Sequence, residues 1–214
     1  MRDLSIGVVA HVKRFHQARM LRKIVDAQCV SWDYGGVGAR ANHLSVWTMM
    51  AGIDSEWSLV LEDDALPVKD FRQNVVHALQ AAPSPIVSLY LGTGNPICWQ
   101  SRIQRALNQA DKRDAHWLLC SNLIHAVSVA VRTDHVASML ESLHCSDEPI
   151  DESITGWAVK RFHSVAYTIP SLCDHDDGPT LMRHADSRRR TAQRVAWRRG
   201  VRYEWNSDTV KLAI

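Results

Sequence analysis

Hydrophobic and polar positions alternate along the chain in two periods, and the first half reads most clearly. Residues 5–10, SIGVVA, form a short apolar run with β-branched members that stops at the polar cluster His11-Val12-Lys13-Arg14. Such a run predicts a buried strand followed by a loop. From Phe15 to Ala27 the apolar residues Ala18, Leu21, Ile24 and Val25 recur at three- and four-residue spacing, which predicts a helix. Cys29-Val30-Ser31-Trp32 predicts a second strand. It is closed by Asp33-Tyr34-Gly35-Gly36-Val37-Gly38, where three glycines permit positive φ and a close backbone approach. A helix over 39–51 follows, with Leu44, Trp47 and Met50 on one side. A third strand, Trp57-Ser58-Leu59-Val60-Leu61, runs straight into Glu62-Asp63-Asp64.

Beyond that strand the pattern predicts a helix from Asp70 to about Ala81, broken by Pro83-Ser84-Pro85, and a fourth strand at 86–91. Alternating short apolar strands and helices imply an α/β fold with a mainly parallel central sheet flanked by helices. Residues 94–115 are polar and irregular, with one helix expected at 101–110. Strands near 116–120 and 124–131, helices over 134–143 and 149–161, and a strand at 164–168 complete the expectation. No internal repeat and no low-complexity linker divide the 214 residues, so one domain is the economical reading.

Composition narrows the class. Charged residues make up 22% and hydrophobic residues 46%, which excludes wholesale disorder. No run of eighteen apolar residues occurs, so no membrane span is expected. The opening MRDLSIGVVA lacks a signal-peptide pattern. The five cysteines, at 29, 98, 120, 145 and 173, include no C-x-x-C pair and read as reduced thiols of a cytoplasmic protein. Charge is unevenly placed: residues 183–214 hold eight Arg and one Lys against three acidic residues, a net of +6. The other 182 residues are left at −4. That segment implies either an anionic ligand or partner, or arginines lying over an acidic body.

The chemistry gathers at strand ends. Three consecutive carboxylates at the carboxyl end of a buried strand repel one another unless a cation lies among them. Ligands of open α/β sheets bind at that end. Hard oxygen ligands suit Mg²⁺ or Mn²⁺; a surface turn with a capping Asp is the other reading. Further on, Glu148-Pro149-Ile150-Asp151-Glu152 opens a helix, where a carboxylate either caps the helix or stays ionised as a base. A late segment, Pro170-Ser171-Leu172-Cys173-Asp174-His175-Asp176-Asp177, carries a His among aspartates.

The segment LVLEDDALPVKDF resembles the acidic motif of metal-dependent glycosyltransferases of the GT-A fold, in particular the family 25 (lipopolysaccharide type) enzymes and small phage-encoded glycosyltransferases. SIGVVAHVKR is similar to their first strand, and GVGARANHLSVW to their glycine-containing turn and following helix. The resemblance implies a nucleotide-sugar half over 1–91, an acceptor half over 92–182, and the basic segment 183–214. It implies Asp64 and His175 as ligands of Mn²⁺ or Mg²⁺, with Asp174 and Asp177 as weaker candidates. Donor contacts would come from Ala10, His11, Arg14, Asp33, Arg40, Asn42, Glu62 and Asp63. Asp151, with Glu152 second, would be the base of an inverting transfer to a hydroxyl acceptor. His43 and Trp47 either belong to that site or pack against the sheet.

The basic segment, which interleaves Arg with Trp197, Tyr203 and Trp205, suits a DNA acceptor, such as a hydroxylated base in phage DNA. A virion protein or a saccharide is the alternative acceptor. A metal-dependent nuclease or phosphoesterase, or a non-catalytic nucleic-acid-binding module, fits the same acidic and basic features.

Overall fold

Strand β1 (Arg2–His11) lies inside an eight-stranded sheet because both of its faces are apolar: Leu4, Ile6, Val8 and Ala10 point to one side and Val9 to the other. The structure, a computed structural model, describes residues 2–176, 178 and 193–214. A short 3-10 turn at Val12–Arg14 leads from β1 into α1 (Phe15–Val25). Then follow β2 (Cys29–Asp33), α2 (Ala39–Ala51), β3 (Ser55–Glu62), β4 (Ala65–Pro67), α3 (Phe71–Gln80) and β5 (Ile86–Ser88). The second half runs α4 (Ile97–Arg113), β6 (Trp117–Cys120), β7 (Ser128–Arg132), α5 (Thr133–His144), α6 (Ile150–Lys160), β8 (Val165–Thr168), β9 (Cys173–His175) and β10 (Thr209–Lys211).

The sheet order is β10-β6-β8-β5-β7-β3-β1-β2, and β4 and β9 form a separate two-stranded ribbon. β1 pairs in parallel with both β2 and β3, β5 with β8, and β10 with β6. β7 is antiparallel to β3 and β5, and β6 is antiparallel to β8. The sheet is thus mixed and mostly parallel. α1 and α3 cover one face through Leu21, Val25, Phe71 and Val75. α2, α4, α5 and α6 cover the other through Trp47, Ile103, Met139 and Trp157. Among the described residues no helix is long and apolar enough to cross a membrane. All five cysteines are free thiols.

Two details of this frame place the site. In the parallel register of β1 with its neighbours, Val9 lies opposite Glu62 and His11 opposite Asp33, so three carboxyl ends converge. Gly7 lets α2 press onto β1. A Cβ there would stand 2.6 Å from Val46 Cγ1 and 3.0 Å from Cys29 Sγ and Met50 Sδ, so any larger residue would push the helix off the strand.

The elements depart from the sequence expectation where local pattern is weak. The strand expected at 86–91 ends at Ser88: the Leu89 amide makes a last bond to the Ser128 carbonyl of β7, and the Leu91 amide then turns to the Ser171 hydroxyl. The helix expected at 101–110 extends over Ile97–Arg113, since its charged outer face hides its period. The strand expected at 124–131 forms only at Ser128–Arg132. The short strands β4, β9 and β10 carry too few residues to show a period, and the pattern missed them. Residues 193–214, set apart by charge in the sequence, are built into the sheet: β10 extends it beside β6, and Trp205 packs on Trp117 with ring centroids 5.1 Å apart.

Candidate functional site

The end of β3 carries the acidic cluster, and each of its carboxylates is held differently. Glu62 is half-buried and lies 3.1 Å from Nε2 of His43, a buried residue of α2. Asp63 turns under β1, where its Oδ2 accepts the His11 backbone N–H at 2.7 Å. Arg14, in the turn after β1, reaches both remaining carboxylates with Nη1, 2.9 Å from Asp63 Oδ1 and 2.6 Å from Asp64 Oδ2. The repulsion expected of three adjacent carboxylates is thus relieved by an internal guanidinium.

His175 completes this group. β9 lies antiparallel to β4 with His175 opposite Ala65, and the Asp176 amide donates to the Asp64 carbonyl at 2.8 Å. The His175 Nε2 therefore stands 3.4 Å from Asp64 Oδ2. Burial opposes the charge of Asp64, but His175 and Arg14 outweigh it and hold its carboxyl below the ordinary value. For Asp63 burial wins over the His11 amide and Arg14, and its pKa is raised. Asp64 Oδ1 and His175 Nδ1 are both buried without a hydrogen-bond partner. A buried carboxylate oxygen without a hydrogen-bond partner is costly.

Asp151 lies in the first turn of α6. Burial raises its pKa to about 6, with the neighbouring charges of Glu62 and Glu152 adding to the effect against the amides of Glu152 and of Asp151 itself. Its Oδ1 accepts the Glu152 N–H at 3.1 Å, while Glu152 is exposed. The Thr155 hydroxyl donates to the Asp151 carbonyl and accepts the Leu123 amide, each at 2.9 Å, which ties the 122–126 loop to this helix end. Tyr167, fully buried, binds the same loop by accepting the Ile124 amide and donating to the Asn122 carbonyl.

The remaining candidates divide. Asn42 is buried beneath the end of β1, donating to the Ala10 carbonyl at 2.9 Å, with its own Oδ1 unpartnered. His11, beside it, uses Nδ1 to accept the Lys13 amide. Asp33 lies at the adjacent strand end, but its carboxylate is committed to the glycine loop. Oδ1 accepts the amides of Gly35, Gly36 and Val37, and Oδ2 accepts Gly38. Those bonds hold its pKa down to about 2, and Gly35 and Gly38 supply the positive φ the turn requires. Arg40 turns away from the cluster to the carbonyls of Leu143 and Ser146, with Ser153 Oγ at 3.4 Å, and braces the α5–α6 connection. Asp174 uses Oδ1 to hold the amides of His175 and Ala196. Asp177 lies outside the described residues.

His43 and Trp47 are both buried against the sheet, and His43 also meets Glu62 of the acidic cluster, so for His43 the two alternatives coexist. Its signal was position alone, one helical turn past a glycine loop. Part of the basic segment falls among the described residues. Arg183, Arg188, Arg189 and Arg190 lie outside the described residues. Arg198 forms a two-point ion pair with Asp111 of α4. Arg199 donates to the Pro67 carbonyl at 3.0 Å, and Arg202 to the Ile169 carbonyl at 3.3 Å and toward His116. The indole N–H groups of Trp197 and Trp205 are bonded to Gln100 and to the Arg202 carbonyl, which leaves Tyr203 as the exposed ring of the three.

No protein-family model matches the chain, and no curated protein matches it. Among solved structures, the crystal structure of A197 from STIV aligns over 86% of this chain and the whole of that one, with 11% sequence identity and a TM-score of 0.46. At that level of similarity no activity is carried over.

Proposed function

We propose that the chain is a nucleotide-sugar-dependent glycosyltransferase of GT-A type that transfers a sugar, with inversion, to a hydroxyl acceptor. One observation carries the reading: Arg14, Asp63, Asp64 and His175 meet at the carboxyl ends of β1 and β3, with Asp151 in the first turn of α6 as the candidate base.

Asp64 Oδ1 and His175 Nδ1, each buried without a partner, are atoms of the types that Mn²⁺ or Mg²⁺ takes as ligands. Asp64 and His175 would hold the ion. Among the described residues no group of three or more His, Cys, Asp or Glu side chains could hold a metal ion, so a bound ion would depend on the donor phosphates and water for its other ligands. Such an ion offsets the charge that develops on a departing nucleoside diphosphate.

The chain's own groups do the rest. Arg14 keeps Asp63 and Asp64 in place, and Asn42 and His11 shape the end of β1 beside them. Asp151 takes the proton of the acceptor hydroxyl as its oxygen bonds to the anomeric carbon and the bond to the diphosphate breaks. A carboxyl raised to about 6 is ionised at neutral pH and still basic enough for that task. Arg198, Arg199 and Arg202 of the C-terminal segment are bonded to the body and so offer less to DNA, and a saccharide or protein hydroxyl is the acceptor this reading takes.

Thermal denaturation against a panel of nucleoside diphosphates and nucleotide sugars, with and without Mn²⁺, tests the reading. One diphosphate series should raise the melting temperature by about 5–10 °C at saturating concentration, only with the metal, and Asp64→Ala should abolish the shift. No shift with any nucleotide, or a shift with Mn²⁺ and DNA instead, overturns it, the latter in favour of a nuclease.

A further inference from the structure

Helix α1 presents a second charged surface that the transferase reading does not use. Its inner stripe, Ala18, Leu21 and Val25, is buried on the sheet. The outer side of α1, with the turn before it, carries Lys13, His16, Arg19, Arg22 and Lys23, all exposed, and no acidic residue. Among the described residues Lys13, Arg19, Arg22 and Lys23 form no ion pair; Arg19 lies over the Phe15 ring at 5.5 Å. Among the described residues carboxylates approach only at the ends of the helix. Asp176 meets Gln17 near its start, and Asp26, just past its end, is 3.8 Å from Arg72 of α3. This is the reverse of the C-terminal segment, whose described arginines have protein partners.

Two aliphatic side chains stand among these cations. Met20 and Ile24, four residues apart on the same side of the helix, are each 59% exposed. Phe15 is partly covered by Trp32, with ring centroids 5.1 Å apart, so Met20 and Ile24 are the free apolar pair. Unpaired cations around exposed aliphatic side chains match an anionic bilayer surface. The cations meet lipid phosphates, and the aliphatic pair enters the headgroup boundary. A nucleic-acid backbone would satisfy the cations but give Met20 and Ile24 nothing to bury against.

We propose that the outer face of α1 docks the protein on an anionic lipid surface. Docking there is reversible, because a single short helix with two inserted aliphatic residues contributes far less than a membrane span. It also has a direction. Arg14, immediately before α1, holds Asp63 and Asp64, so the docked face lies beside the acidic cluster and would set that cluster near the bilayer.

Vesicle flotation of the full chain tests this, with phosphatidylcholine vesicles compared with vesicles containing about 30% phosphatidylglycerol. Binding should require the anionic lipid and fall steeply as salt is raised from about 0.1 M to about 0.5 M. Arg19→Gln/Lys23→Gln should weaken it about tenfold or more, and Met20→Ser/Ile24→Ser should weaken it at unchanged charge. All four positions are exposed, so the variants should keep the wild-type melting temperature, which the same samples report. Equal binding to both vesicle types, or anionic binding indifferent to both double variants, overturns the proposal. A preference for duplex DNA that the Arg19→Gln/Lys23→Gln variant loses and the Met20→Ser/Ile24→Ser variant keeps would reassign the face to nucleic acid.

Discussion

Arg14 and Arg198 both form ion pairs with aspartate, and the two differ in what surrounds them. Arg14 is 15% exposed and bridges two carboxylates that are each less than a tenth exposed. Arg198 meets one carboxylate, Asp111, at the surface, where that partner is 53% exposed. Around Arg14 the charges have no water to fall back on, so each depends on the others being present. Around Arg198 solvent replaces whatever is lost. The acidic cluster stands out because its charges are confined, whereas the Arg198–Asp111 pair of the C-terminal strap lies open to water.

The largest effect should follow from removing the confined cation. Arg14→Gln leaves Asp63 and Asp64 buried without their guanidinium, and should cost about 2–4 kcal/mol of folding stability. Urea denaturation followed by circular dichroism measures this, and a loss below about 1 kcal/mol would put Arg14 in the same class as a surface pair. The variant also sharpens the metal reading. With the internal cation gone, Mn²⁺ should recover more of the lost melting temperature in Arg14→Gln than it adds to the wild type. Equal Mn²⁺ responses would detach the acidic cluster from metal binding.

Asp151 belongs to the confined kind but has no cation beside it, and its sign is opposite. Its folded pKa of about 6 exceeds the ordinary value of 3.8, so between those values the folded protein keeps a proton that the unfolded chain has released. The contribution is stabilising at low pH and is lost as pH rises through about 6. At pH 7 the ionised carboxylate is a cost, and Asp151→Asn should raise stability by about 1–3 kcal/mol, because Asn keeps an oxygen for the Glu152 amide. The gain should disappear below about pH 4. If Asp151 is the base of the proposed transfer, activity should rise through about pH 6 in the wild type and be absent in the variant. A variant that is destabilised at pH 7 would show that Asp151 works as a helix cap rather than as a base.

How much of this was legible in the sequence follows the same division between local and assembled features. β1, β2, β3 and the helices between them carry their period in their own residues, and the acidic run at the end of β3 could be read as a strand-end cluster directly. Asp151 could be read as a carboxylate opening a helix. What could not be read was which side chains are consumed by the fold. Asp33 and Arg40 have the chemistry of ligand contacts, yet one is spent on four loop amides and the other on the α5–α6 carbonyls. Neither partnership leaves a mark in spacing. The pairing of β4 with β9, which brings His175 to Asp64 across more than a hundred residues, rests on two three-residue strands with no detectable pattern. The eight arginines of the basic segment were conspicuous, but a count of charges does not say whether carboxylates lie opposite.

The smallest expected effect tests that last point. Arg198→Gln removes a two-point pair with Asp111, a residue whose pKa the guanidinium lowers. In spite of that geometry the change should cost less than about 1 kcal/mol, since both partners reach water. The loss should shrink further in about 0.5 M salt, where surface pairs are screened, whereas the cost of Arg14→Gln should hardly change. Parallel denaturation of both variants at low and high salt therefore reads confinement directly. If Arg198→Gln instead proved as costly as Arg14→Gln and as insensitive to salt, the C-terminal strap would be a structural clamp on α4. Its arginines would then owe their number to folding rather than to any polyanion.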